Sequence, residues 1–158
     1  MEDTSGNKEV KSKSLVTAHL IWLGAVLFYL YQYIIRVSPG VMEGDLRHAF
    51  QLDATGFGYL SAFATLSYAL MQIPIGILVD VYGTRRLVLA SVLMCAGGVA
   101  LFANTENLII AYVARFLMGT GSACAFLSVS KVVNEWFPDS RKGLMMGLTA
   151  TAGTIGAL

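Results

Sequence analysis

Charge is in short supply in this sequence. Only 13% of its 158 residues are Asp, Glu, Lys or Arg, where a soluble domain carries about a quarter. That shortage excludes an ordinary water-soluble domain. A net charge of +1 with no basic block gives no reason to expect a nucleic-acid partner. Histidine and cysteine are equally scarce: His19, His48, Cys95 and Cys124 are all there is. No HExxH, GxSxG or CxxC occurs, so no enzyme, catalytic residue, metal site or cofactor is expected. Cys95 and Cys124 fall in separate apolar runs and read as small buried hydrophobes. His48 reads as a surface histidine.

What is abundant is apolar: 56% of the chain, with 16 glycines. The apolar runs are Leu15 to Ile35, Thr55 to Val79, Leu87 to Ala103, Leu108 to Ser130 and Gly143 to Leu158. A spanning helix needs about 20 such residues. An all-α membrane bundle is therefore expected, with helices at about 15–36, 55–79, 87–103 and 108–130 and the start of a fifth at 143–158. A last run of this kind reads as an interrupted span, so the expectation is an N-terminal fragment or a truncated reading frame. Residues 1–14 are polar, and with too long an apolar run behind them for a signal peptide they read as a tail. The lipid bilayer is then a partner.

Lys8, Lys11 and Lys13 stand before the first run, Arg85 and Arg86 in the second connection, and Lys131, Arg141 and Lys142 in the fourth. The third connection has no Lys or Arg, and the first has Arg36 and Arg47. Positive charge gathers on the cytoplasmic side, which puts the N-terminus there. The first connection, residues 38–54, reads as a turn at Pro39-Gly40 followed by about two amphipathic helical turns, with Asp53 or Thr55 capping the next span. The pairs among Ala96-Gly97-Gly98, in "GTGSACA" and at Gly143 and Gly147 offer surfaces for close helix packing.

Polar residues inside the spans fall on stripes. Tyr29, Gln32, Tyr33 and Arg36 lie at i, i+3, i+4 and i+7; Ser61, Thr65, Tyr68 and Gln72 at i, i+4, i+7 and i+11; Arg115, Gly119 and Ser122 at i, i+4 and i+7. Such faces line cavities or bond to neighbouring helices. Arg115 sits seven residues inside its span, about 10 Å deep at 1.5 Å per residue. No Asp or Glu lies in any span, so its partner is either an acid elsewhere or a ligand anion. Arg36 is near its helix end, where snorkelling competes with cavity lining. Two guanidiniums at similar depth would form a clamp for a carboxylate or phosphate.

"GILVDVYGTRR", Gly76 to Arg86, resembles the signature of the major facilitator superfamily between its second and third helices. Gly76, Asp80, Gly83 and Arg85 match; Val81 and Thr84 depart, with Arg86 a partial substitute. "RFLMGTGSA" is similar to the fourth-helix motif of that family and "EWFPDSRKGLMMG" to its link into the fifth helix. "RVSPGVM" and "MQIPIGILVD" bring the chain nearest the anion:cation symporter and organophosphate branch.

This resemblance implies the N-terminal part of a twelve-helix fold, in an integral multi-pass protein of the bacterial inner membrane. It implies a secondary active transporter for a small organic anion, working by alternating access. Substrate-binding residues would be Arg36 and Arg115, with Tyr33, Gln32, Tyr29, Gln72 and Tyr68 beside them. Gly76, Asp80, Gly83, Arg85 and Arg86 would form a conformational latch, within which carboxylate and guanidinium can pair. A missing C-terminal half would be the partner that completes the cavity. Proton coupling in that branch uses an acid before the first-helix arginine and another in the fourth helix; Ile35 and Ser122 stand there instead, which leaves H+ open as the coupling ion. Amino acids, sugars or drugs as substrates, and a non-transporting truncated membrane protein, remain alternatives.

Overall fold

Two short side chains open the long helices of this chain. Asp53 accepts the Gly56 N–H at 2.7 Å, and Asn107 accepts those of Ile109 and Ile110 at 2.9 and 3.4 Å, satisfying donors that a helix start leaves free. The computed structural model describes residues 15–158. The expected polar tail, residues 1–14 with its three lysines, lies outside them. Six helices follow in order: α1 Leu15–Val41, α2 Glu43–Ala49, α3 Ala54–Tyr82, α4 Thr84–Ala103, α5 Leu108–Trp136 and α6 Asp139–Gly156. The described residues contain no strand. α1, α3, α4 and α5 are long and apolar enough to cross a membrane.

Pro39 was expected to turn the chain, yet α1 runs through it to Val41. A proline leaves the carbonyl four residues back without its N–H donor. Here that carbonyl belongs to Ile35, and the Ser38 hydroxyl donates to it at 3.1 Å. The Met42 N–H then bonds to the Ser38 carbonyl at 3.1 Å and leads into α2. The chain reverses instead after α2, at Gln51, whose φ of 52° lies in the left-handed region.

α5 is the axis of the bundle. It packs on α1, α3 and α4, while α6 lies against α1. Ala111, Ala114, Ala123 and Cys124 on α5 are wholly inaccessible. Small residues allow this approach: a Cβ on Gly119 would overlap the Ala64 carbonyl and the Ser67 hydroxyl of α3, and one on Gly121 would overlap Cys95 Sγ of α4. Gly98 meets Met118 from the α4 side. Gly97, Gly143 and Gly147 face open space, so the expected Gly143–Gly147 contact is not made here. Large apolar side chains such as Ile73, Leu93 and Ile109 cover the outside, as lipid permits.

α3 and α4 are joined by one residue. Gly83 has φ 80° and ψ 151°, a region essentially reserved for glycine. α6 opens after Pro138 with Asp139, which receives the Lys142 ammonium at 2.7 Å. That hydrogen bond holds the Asp139 carboxyl below the usual carboxylate range.

Candidate functional site

The first stripe divides in two on folding. With 100° per residue, Gln32 sits at one edge of the face and Tyr33 at the other. Tyr29, Tyr33 and Arg36 are half-buried on the more open side. The Arg36 guanidinium lies 4.5 Å from the Tyr68 ring centroid and 5.2 Å from that of Tyr33, within cation–π range. Tyr29 and Tyr33 bring their hydroxyls to 3.2 Å. Arg36 makes no ion pair or side-chain hydrogen bond among the described residues. Its guanidinium edge keeps the donors that recognise a carboxylate.

Gln32 turns the other way, into the core, where it is 3% exposed. Its amide nitrogen donates to Cys95 Sγ of α4 at 2.9 Å, and its amide oxygen accepts the Ser122 hydroxyl of α5. The structure therefore places it between three helices, apart from the face formed by Tyr29, Tyr33 and Arg36. Gln72 is half-buried one turn beyond Tyr68 and makes no side-chain hydrogen bond among the described residues. Thr65 is exposed and the Ser61 hydroxyl is buried without a partner, so the α3 stripe does not act as one surface.

Arg115 is 1% exposed. Its Nε donates to the Leu60 carbonyl at 3.4 Å and its Nη2 to the Ser61 carbonyl at 3.3 Å. Both acceptors are in α3, where a carbonyl's second lone pair is still free. Neither an acid nor an external anion is needed for these bonds, which supplies a third answer to the partner question posed above. Nη1 stays buried and unpartnered, and Phe102 lies 5.9 Å from the guanidinium carbon. Arg115 and Arg36 line one narrow crevice together with Ala64, Tyr68 and Ser122. The residue before Arg36, Ile35, is buried, and the hydrogen-bond partners of Ser122, Gln32 and the Met118 carbonyl, are neutral.

Two larger spaces lie between α1 and α4. One, of about 350 Å³, is bounded by Ser38, Phe50, Phe102 and Arg115 at the end carrying α2. The other, of about 880 Å³, is bounded by Gly24, Ala25, Arg85, Val88 and Lys131 at the end carrying the α3–α4 turn. At that turn Asp80 pairs with Lys131 of α5 at 3.0 Å, whereas a pairing with Arg85 or Arg86 within the turn was expected. α5 passes beside the α3 end and offers its ammonium, which also reaches the Val79 carbonyl at 3.4 Å. Gly76 borders the same region, but no side-chain or backbone atom closes on it.

Reasoning on the sequence missed Lys131 as the partner of Asp80, and Cys95 and Ser122 as partners of Gln32. It also missed the bond from Trp22 Nε1 to the Thr149 hydroxyl at 3.2 Å, which joins α1 to α6. Ser122 was marked by its stripe; nothing in the spacing marked the other three contacts. Among the described residues no cluster of metal-ligating side chains occurs.

Three apolar helices pack around the small-residue axis α5, with Arg115 buried and a glycine-locked turn between α3 and α4. The Major Facilitator Superfamily profile matches residues 21–158. The chain belongs to this superfamily. As a superfamily member with four apolar helices it is an integral multi-pass membrane protein, from a family of transporters rather than enzymes. It is 33% identical over 123 residues, 78% of the chain, to "Uncharacterized transporter YybO" of Bacillus subtilis (strain 168). It is 26% identical over 139 residues, 83% of the chain, to "Probable galactarate/D-glucarate transporter GudP" of Escherichia coli (strain K12). It is 26% identical over 140 residues, 89% of the chain, to "Probable sulfoacetate transporter SauU" of Cupriavidus necator. The chain spans 28%, 31% and 33% of the length of these three relatives. No solved structure matches.

Proposed function

We propose that this bundle supplies one wall of the substrate cavity of a secondary transporter for small organic anions, sugar acids being the first to test. The observation that carries it is the pair of guanidiniums on one crevice, Arg36 and Arg115, neither of which pairs with a carboxylate among the described residues. Arg36, stacked on Tyr33 and Tyr68, is the primary anion contact. Tyr29 and Tyr33 add hydroxyls for the polar groups of a sugar acid, and Gln72 lies further along the same side of α3. Galactarate, glucarate and sulfoacetate, named in the relatives, share the charge that such a site selects.

The opposite wall belongs to the remaining length that the relatives possess, and substrate is exchanged between the two sides as the halves rock. Gly76, Asp80, Gly83, Arg85 and Arg86 lie where a latch between the halves would act. Lys and Arg placement favours the N-terminus and the α3–α4 turn on the cytoplasmic side, and the bacterial relatives favour an inner membrane. Ile35 and Ser122 offer no titratable group at the two positions where the anion:cation symporter branch couples a proton, so a coupled proton would be carried elsewhere in the transporter.

Uptake of radiolabelled galactarate by vesicles from cells producing this bundle together with its opposite wall tests this. Charge-assisted hydrogen bonds of about 1.5–3 kcal/mol make Arg36→Ala cost about ten- to hundredfold in apparent affinity, with Arg36→Lys between the two. Unchanged uptake in Arg36→Ala would remove Arg36 from the site.

A further inference from the structure

Gln32, Ser122 and Cys95 form a closed polar node in the middle of the bundle. All three are buried, on α1, α5 and α4. The Ser122 hydroxyl shares its one proton between the Gln32 amide oxygen and the Met118 carbonyl, 2.7 Å away, and the Cys95 thiol donates to that carbonyl at 3.6 Å. Every group in the node is neutral.

Its position along the helices is informative. On α1 the node falls between Ala25, at the edge of the large cavity, and Ile35, at the edge of the smaller one; on α4 it falls between Leu89 and Val99 in the same way. α1 and α4 scarcely approach each other otherwise, and the Gln32–Cys95 bond is the one side-chain hydrogen bond between them among the described residues. The two helices are thus clasped at their middles and parted at both ends. Gln32 also lies within one turn of Tyr29, Tyr33 and Arg36, so whatever fixes its azimuth fixes theirs. The apolar packing of α1 on α5, through Val26 against Val129, resists separation of the helices but is indifferent to small rotations. Directional hydrogen bonds are not: α1 has one to α6 at Trp22, ten residues before the node, and those of Gln32 are the ones beside Arg36.

We infer that Gln32 is a positioning residue: pinned by Ser122 and Cys95, it holds α1 at the rotation that presents Arg36 and the tyrosine pair to an anion, and it serves as the pivot between the two cavities. This rests on the anion site proposed above. Without the pin α1 samples other rotations, and apparent affinity falls by the fraction of molecules that remain competent.

The test uses Gln32→Leu and the milder Ser122→Ala, in a Cys124→Ser background that leaves Cys95 as the one thiol. Two readouts are followed in native membranes: galactarate uptake, and the rate at which N-ethylmaleimide labels Cys95. Loss of two bonds in a membrane interior predicts a KM raised about tenfold with Vmax retained. Cys95 should be labelled faster, and combining the two substitutions should add little to Gln32→Leu alone. Unchanged KM with unchanged labelling would overturn the pin, as would less inserted protein whose KM and labelling match the parent, the pattern of a merely structural residue. If the unsubstituted protein, produced together with its opposite wall, takes up no anion, the transport reading fails; the labelling rates of the two variants then decide the pin by themselves.

Discussion

Replacing Arg115 by methionine should leave the bundle at least as stable while abolishing its action on an anion. Arginine at the middle of a membrane helix costs about 2.5–3.5 kcal/mol on insertion scales. Against this stand two bonds to carbonyls at 3.4 and 3.3 Å, worth about 0.6 kcal/mol each by cycles in a membrane protein. A cation–π contact at 5.9 Å, near the limit of its range, adds about 0.5 kcal/mol. The favourable terms reach about 2 kcal/mol and the cost about 3. Nη1, buried without a partner, weighs on the same side as the cost. Methionine follows the unbranched path of the arginine stem and adapts to the space, so Arg115→Met should gain about 1 kcal/mol. Equilibrium unfolding in bicelles, followed by the fluorescence of Trp22 and Trp136, measures the sign, and uptake measures the function. A loss of about 2 kcal/mol or more would refute the reasoning and make Arg115 a structural tie. Arg115 would then owe its place to α3 and not to a ligand.

Two further expectations concern backbone approach. Gly119→Val should push α3 from α5, because its Cβ meets the Ala64 carbonyl, part of a helix backbone that cannot swing aside; overpacking costs about 1–3 kcal/mol, read as reduced thermal stability in detergent, and an unchanged melting point would count against the contact. Gly83→Ala should cost about 1–3 kcal/mol through its backbone conformation alone, since its Cβ would meet no atom within 4 Å. Asp80→Asn at the same turn should cost under about 1 kcal/mol, because the carboxylate is 81% exposed and such pairs contribute little.

The four spans were legible because length and apolarity are enough to specify a helix in lipid. Asp53 was legible as a cap by its residue type, as was the need for a glycine at 83 once the signature was in view. The depth of Arg115 could be counted from the run that holds it. Its partners could not, since the second lone pair of a helix carbonyl is present at every residue and has no sequence signature. The side that Gln32 takes was not legible for a geometric reason: a stripe of four residues covers a wide arc, and the residue at its edge can be claimed by either the opening or the core. Packing decided for the core, because Cys95 and Ser122 were there to accept it. The continuation of α1 through Pro39 depended on a serine one residue earlier, a local compensation that the rule for proline does not contain. The pairing of Asp80 with Lys131 joins residues 51 apart in the chain, and only the course of α5 brings them together.

The crossing helices differ in length. α1, α3 and α5 have 27, 29 and 29 residues, whereas α4 has 20. At 1.5 Å per residue the long ones reach about 40 Å and α4 about 30 Å, close to the thickness of the hydrocarbon itself. α4 has no surplus with which to tilt, so it acts as the gauge that the bilayer must match, while its neighbours lean or emerge on either side. A membrane that thickens strains the shortest member first, and that member is the one clasped to α1 at its midpoint.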